Sequence, residues 1–188
     1  MEKMIVLVGM PGCGKTTIGR ILARELNVPF IDTDRLIAEA EGMSLSQIQK
    51  EKGMQYFLEA EERALLSLDD SLKVVATGGS AIFSSDGMMY LSSIATMVYL
   101  DVDLGMLKLR MGDPKARGVV LAPNQTIAGV YRQRRPLYLR YADIRIRTHN
   151  TRPRNVALQI LSKLNEPQGN DEQNGQKTED KEQKGDNL

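Results

Sequence analysis

Apolar residues along this chain recur at two spacings, that of strands and that of helices, and the two alternate from the N-terminus onward. Met4 to Val8 is a β-branched apolar run of strand length. Ile18, Ile21, Leu22 and Leu26 then recur at helical spacing and predict a helix over 17–26. Val28 to Asp32, which contains Pro29, reads as a short strand. Leu36, Ile37 and Ala40 share a helical face that Gly42 stops. Ser44 and Gln47 match a capping box and predict a short helix to Lys52, ended by Gly53. The pattern predicts a further helix over 54–68, with Phe57, Leu58, Ala60, Ala64, Leu65 and Leu68 available for burial. Strands are predicted over 73–77 and 95–100, a helix over 103–111, and a helix over 125–135 that ends before Pro136. A last strand over 142–147 and a helix over 155–164 close the series.

Strands that alternate with helices predict an α/β fold: a five-stranded, mainly parallel sheet with helices on both faces, in a single domain over 1–166. Ligands of such sheets gather at the carboxyl ends of the strands. That rule sets three segments on one rim: Gly9 to Thr16, Asp32-Thr33-Asp34, and Thr77-Gly78-Gly79.

Composition narrows the partners. The formal charge of +1 is uneven: from Glu166 onward seven carboxylates face three lysines, so this tail carries −4 and the remainder +5. The tail, 167–188, has almost nothing to bury and is expected to be disordered. A mildly basic body suits a small anionic ligand, and no long Lys/Arg patch points to nucleic acid. No apolar run reaches membrane-spanning length, and the first one enters a glycine loop directly rather than a cleavage site. A cytoplasmic protein without a membrane partner is expected. The single cysteine, Cys13, reads as a small filler, and no His/Cys cluster suggests a structural metal.

The chemistry is concentrated in Gly9-Met10-Pro11-Gly12-Cys13-Gly14-Lys15-Thr16, which fits the phosphate-binding P-loop pattern between a predicted strand and a predicted helix. Glycines let the backbone curl so that successive N–H groups point at an anion, and the helix N-terminus adds positive potential. Lys15 can reach the β- and γ-phosphates, and the Thr16 hydroxyl can ligate Mg²⁺. The stretch therefore predicts a nucleoside triphosphate site.

With that loop, Phe30-Ile31-Asp32-Thr33-Asp34, Gly53 with Phe57 and Glu61, Thr77-Gly78-Gly79, Arg117, and Arg134-Arg135-Pro136-Leu137-Tyr138 before Ala142-Asp143, residues 3–164 resemble the shikimate kinase family, P-loop phosphotransferases with a nucleoside monophosphate kinase-like fold. The resemblance implies a P-loop three-layer sandwich, with substrate-binding helices over about 33–62, a mobile lid over about 111–123, a monomer, and ATP with Mg²⁺ acting on a small-molecule acceptor. Gly12, Cys13, Gly14, Lys15, Thr16 and Thr17 would hold the phosphates, and Arg110 and Arg152 would lie near the adenine. Thr16 and Asp32 would hold the metal, Asp32 through its water shell. Asp34 would orient or deprotonate the acceptor hydroxyl. Gly78, Gly79 and Ser80 would border the acceptor, Arg134 would grip its carboxylate, and Arg117 would balance charge on the transferred group.

Departures from the family pattern fall on the acceptor side. Members usually read Gly-Glu-x-x-Phe-Arg-x-x-Glu where this chain reads Gly53-Met54-Gln55-Tyr56-Phe57-Leu58-Glu59-Ala60-Glu61. Leu58 thus replaces an arginine that would share the carboxylate with Arg134, a loss of about 2–4 kcal/mol of binding. Glu61 lacks the arginine one helical turn earlier, and Ser80 replaces a glycine. The expected function is ATP-dependent phosphorylation of shikimate in aromatic amino-acid biosynthesis. A same-fold kinase for another polyol, sugar acid or cyclitol is the alternative that Leu58 raises, and a non-catalytic nucleotide-binding regulator is a third reading.

Overall fold

The computed structural model describes residues 3–111 and 126–166. Its frame is a five-stranded parallel sheet in the order β2-β3-β1-β4-β5, built from β1 (Met4–Val8), β2 (Phe30–Asp32), β3 (Val74–Ala76), β4 (Ala95–Asp101) and β5 (Ile144–Arg147). β1 lies at the centre, with Val6 level with Val75 on one side and Met97 on the other. All five of its residues are buried, as expected of a strand covered on both faces.

Strand order then assigns the helices to faces, because parallel crossovers are right-handed. The step from β1 to β2 runs opposite to every later step, so α1 (Lys15–Leu26) takes one face. The other takes α2 (Thr33–Glu41), α3 (Leu45–Glu51), α4 (Gly53–Leu66), α5 (Ser85–Ile94), α6 (Leu104–Met111) and α7 (Ile127–Tyr141). The closing helix α8 (Pro153–Asn165) returns to pack on α1, while α4 packs on α5. Helices α2, α3 and α4 hold a small apolar cluster of their own, Ile37, Ile48, Phe57, Ala60 and Ala64, apart from the main core. Glu41 straps this lobe together: it accepts hydrogen bonds from Tyr56 Oη at 2.9 Å and from Lys52 Nζ at 2.7 Å.

Three features differ from the sequence pattern. α5 and a 3-10 turn over Ala81–Phe83 occupy a stretch to which the pattern assigned nothing. Ser84 caps α5 by accepting from Gly87 N at 3.0 Å, but Met88 and Leu91 alone form its fully buried stripe. Gly53 does end α3, in a left-handed conformation at φ 88° just after the cap Lys52, but it is also the first residue of α4 rather than a spacer between the two helices. Most consequentially, α7 runs through Pro136 to Tyr141 rather than stopping before the proline. A proline inside a helix costs about 3 kcal/mol. Tertiary contacts on both sides of Pro136 offset this. Arg135 pairs with the buried Asp101 at 3.2 Å, and Tyr138, 1% exposed, stacks on Tyr99 with ring centroids 5.2 Å apart. The remaining boundaries shift by two residues or fewer, α1 for instance beginning at Lys15 instead of 17. The expected lid over 111–123, apart from Met111 at the end of α6, and the tail over 167–188 lie outside the described residues, as does Gln125.

Candidate active site

Because every strand is parallel, all five carboxyl ends open onto one rim, and a cavity of about 680 Å³ lies there. The P-loop forms its floor between β1 and α1. Gly14 is the N-cap of α1 at φ 105°, a left-handed conformation that a side chain would strain. Cys13 is fully buried, which fits its role as filler. Lys15 is also buried, its ammonium donating to Gly9 O at 2.8 Å and Met10 O at 3.1 Å. The first turn of α1 carries no acidic side chain to offset its positive end.

Asp32 ends β2 and caps α2, and its two oxygens have different duties. Oδ1 accepts from the Asp34 amide at 3.2 Å, whereas Oδ2 accepts from the Thr16 hydroxyl at 2.8 Å. Capping therefore fixes the carboxylate against the P-loop threonine rather than competing with a site role. This hydroxyl–carboxylate pair fits a hard cation that takes its other ligands from water and phosphate oxygens, as Mg²⁺ does. Among the described residues no cluster of three or more His, Cys, Asp or Glu offers an all-protein cage.

Asp34, two residues further on, lines the cavity. Burial raises its carboxyl above the usual range; Lys15 opposes that rise and Asp32 adds to it. The wall behind it is Gly78, whose amide donates to Thr33 Oγ1 at 3.0 Å. A Cβ on Gly78 would stand against the Glu61 carboxylate and 2.6 Å from Asp34 Oδ1, so both acids press on the same glycine. Gly78→Ala is expected to raise the KM for the acceptor about tenfold or more by displacing these side chains, with the KM for ATP unchanged, as steady-state kinetics with each substrate varied would show. Next to it, Gly79 O accepts from Tyr138 Oη at 2.8 Å, and a Gly79 Cβ would crowd Pro11 at 2.7 Å. The proline-interrupted α7 thus holds the turn after β3 in place.

Glu61 on α4 is 3% exposed, and neither of its oxygens has a hydrogen-bond partner. Burial pushes its carboxyl up to about 7; Asp34 contributes, while Ser80, Arg134 and Lys15 act the other way. With a folded pKa above that of the unfolded chain, this stability is present below about pH 4.5 and lost as pH rises through 7. Glu61→Gln is therefore expected to raise Tm at pH 8 relative to the parent while changing little at pH 4.5, an effect on the order of 3 kcal/mol that thermal melts at the two pH values would measure.

Of the residues singled out in the sequence, Gly12, Cys13, Gly14, Lys15, Thr16, Thr17, Asp32, Asp34, Gly79, Ser80, Arg110 and Arg134 all line the one cavity. Arg110 Nη1 donates to Cys13 O at 3.4 Å, which ties the end of α6 to the P-loop. Gly78 is the buried wall just described. Leu58 lies elsewhere: it lines a smaller cavity of about 220 Å³ between α4 and the Ala81–Phe83 turn, which shares Glu61 and Ser80 with the main one. Arg152 caps α8 with an exposed side chain, and its neighbours Thr151 and Pro153 line the cavity in its stead. Arg117 lies outside the described residues. The sequence reading missed Gln49, which is half-buried, and Thr148, which is fully buried, two residues at the cavity whose buried side-chain oxygens lack partners. Thr148 follows β5, so the rule of strand carboxyl ends could have found it; Gln49 sits mid-helix with no comparable signal.

A family model for shikimate kinase matches residues 11–165. The chain belongs to the shikimate kinase family. Relatives within the family include the shikimate kinase of Rhodococcus jostii, 36% identical over 169 residues spanning 88% of this chain and all of that protein. That of a Sulfurihydrogenibium species is 35% identical over 163 residues, spanning 86% of this chain and 98% of that one. Among solved structures, shikimate kinase from Acinetobacter baumannii in complex with shikimate superposes with a TM-score of 0.81 at 32% identity, covering 87% of this chain and 93% of that one. The Aquifex aeolicus shikimate kinase gives 0.76 at 33% identity, over 86% and 95% respectively. As in the family, this chain is an ATP-dependent kinase with a hydroxyl acceptor. The regulator reading is thereby corrected, and the reading of a different acceptor class gains no support from these relatives.

Proposed function

We infer that the protein transfers the γ-phosphate of ATP to the 3-hydroxyl of shikimate. One observation carries this reading: an ammonium, a carboxyl and a guanidinium, those of Lys15, Asp34 and Arg134, converge on a single cavity from three separate elements, and their chemistry suits a phosphate, a hydroxyl and a carboxylate respectively. Phosphoryl transfer asks a protein mainly for positioning and electrostatic stabilisation. Lys15 supplies charge at the β- and γ-phosphates, and the amides at the start of α1 supply dipoles. Asp34 orients the attacking hydroxyl and takes its proton, a task favoured by a carboxyl that burial raises above its ordinary range. Arg134 grips the acceptor's carboxylate, the Gly79 amide borders its hydroxyls, and Arg110 flanks the nucleotide base. Arg117 balances charge on the transferred group.

Mg²⁺ is the metal we assign to Thr16 and Asp32, where it would supply Lewis-acid neutralisation of the phosphates. Among the described residues no helix is long and apolar enough to cross a membrane; we place the protein in the cytoplasm as a monomer. The test is product identity. Phosphorus NMR of a reaction with ATP, Mg²⁺ and shikimate is expected to show one new phosphomonoester on the 3-hydroxyl. Release of inorganic phosphate alone would count against the assignment.

A further inference from the structure

Glu61 and Arg134 present an unusual pair of buried groups. Both Glu61 oxygens and Arg134 Nε are buried without hydrogen-bond partners, both residues line the same cavity, and they do not form an ion pair with each other. The Arg134 guanidinium is held in place, its Cζ 5.2 Å over the Phe83 ring and its Nη1 3.1 Å from where a Gly79 Cβ would stand. Among the described residues Glu61 has no other cation free to serve it. One turn earlier on α4 stands Leu58. Arg63 is engaged with Glu41 at 3.4 Å and with the Tyr56 ring. Lys15 is anchored to the P-loop carbonyls. The charged groups acting on Glu61 are Asp34 from α2, Arg134 from α7 and Lys15 from α1, with the Ser80 hydroxyl from the turn after β3. From α3 the neutral Gln49 faces the same cavity.

Building on the reading that Arg134 binds the acceptor's carboxylate, we propose that Glu61 is a specificity-determining residue that competes with that carboxylate for Arg134, so that acidic acceptors bind more weakly as pH rises past neutrality. An ionised Glu61 draws on the positive potential of Arg134 and repels a second carboxylate. A neutral Glu61 leaves Arg134 to the acceptor. Binding of a carboxylate at Arg134 offsets positive potential that favours an ionised Glu61 and is therefore coupled to proton uptake there. Because this carboxyl titrates near 7, the competition switches on within the ordinary working range. Glu61 acts through Arg134 and not on the reacting atoms, so the effect belongs to acceptor KM and not to kcat.

The test is the KM for shikimate of the parent, Glu61→Gln and Leu58→Arg, measured between pH 6.5 and 8.5 at saturating ATP·Mg²⁺. In the parent KM is expected to rise about tenfold across this range with kcat changing less than twofold. In Glu61→Gln, KM is expected to stay near the parent's low-pH value throughout. Leu58→Arg, which gives Glu61 a resident cation whatever the fate of the first variant, is expected to flatten the profile as well. A flat parent profile would overturn the inference, as would a rise that persists in both variants or one carried by kcat. Absence of shikimate turnover at every pH would sink the carboxylate-acceptor reading itself and the inference with it, whereas turnover with a flat KM sinks the inference alone.

Discussion

Lys15→Ala is expected to lower kcat by about a thousandfold or more while the chain stays folded. Removing a single preorganised donor to developing charge typically lowers rates by about 10² to 10³, and Lys15, itself buried, is the residue we assign to two phosphates at once. Its structural cost is small by comparison: it satisfies two carbonyls, of Gly9 and Met10, whose loss is worth about 1 kcal/mol each. In the main core its ammonium meets only one side-chain partner, the Cys13 sulfur at 3.8 Å, a weak acceptor. Asp34→Asn tests the other reacting partner without changing shape, and a drop of about 10² to 10⁴ is expected from loss of the proton acceptor. Rapid-quench measurement of the transfer step, alongside thermal melts, separates chemistry from folding. Parent-like transfer in either folded variant would remove that residue from the mechanism.

Arg134→Ala is expected to raise the KM for shikimate by roughly thirtyfold to a thousandfold, corresponding to about 2–4 kcal/mol for truncating one partner of a buried charge pair. Among the described residues Arg134 is the cation we assign to the acceptor end of the cavity, since Leu58 supplies none and Arg110 lies at the P-loop end. The KM for ATP is expected to stay within about twofold. Arg134→Lys keeps the charge but loses the planar fork and is expected to recover only part of the affinity. Steady-state kinetics with each substrate varied would check both. An Arg134→Ala enzyme with unchanged shikimate KM would mean that the acceptor's carboxylate is held elsewhere.

Much of this site is legible in the chain itself, because its signals are local. The P-loop requires glycines at fixed positions, and Gly14 does adopt a left-handed conformation there. Asp32 and Asp34 could be placed because a strand ends beside them, and parallel order then sets strand ends on one rim. The Ser44–Gln47 capping box formed as read, Ser44 N donating to Gln47 Oε1 at 2.9 Å. The failures are cases where distant contacts decide. Pro136 is a helix breaker by every local rule, and α7 continues through it because Tyr99, Asp101 and Gly79, far away in sequence, hold Arg135 and Tyr138. Asp101 itself shows the same logic. Burial would raise its carboxyl, yet Arg135, Arg145 and Tyr99 outweigh that and hold it below the usual carboxylate range. Helix α5 was missed because its buried stripe is only two large residues wide. The Arg152 placement drifted because the loop before α8 turns Thr151 and Pro153 toward the cavity, with Arg152 facing outward between them. Leu58 could be singled out in the chain, but its position in a neighbouring cavity that shares Glu61 required the fold.

The most direct measurement is the initial rate of ADP release by the parent enzyme with ATP·Mg²⁺ as shikimate is titrated from zero. A saturable, shikimate-dependent rate is expected, with one ADP formed per phosphorylated shikimate and little release in its absence. ADP release that ignores shikimate, or that appears only with an uncharged polyol, would contradict the assignment of Asp34 and Arg134 to an acidic acceptor.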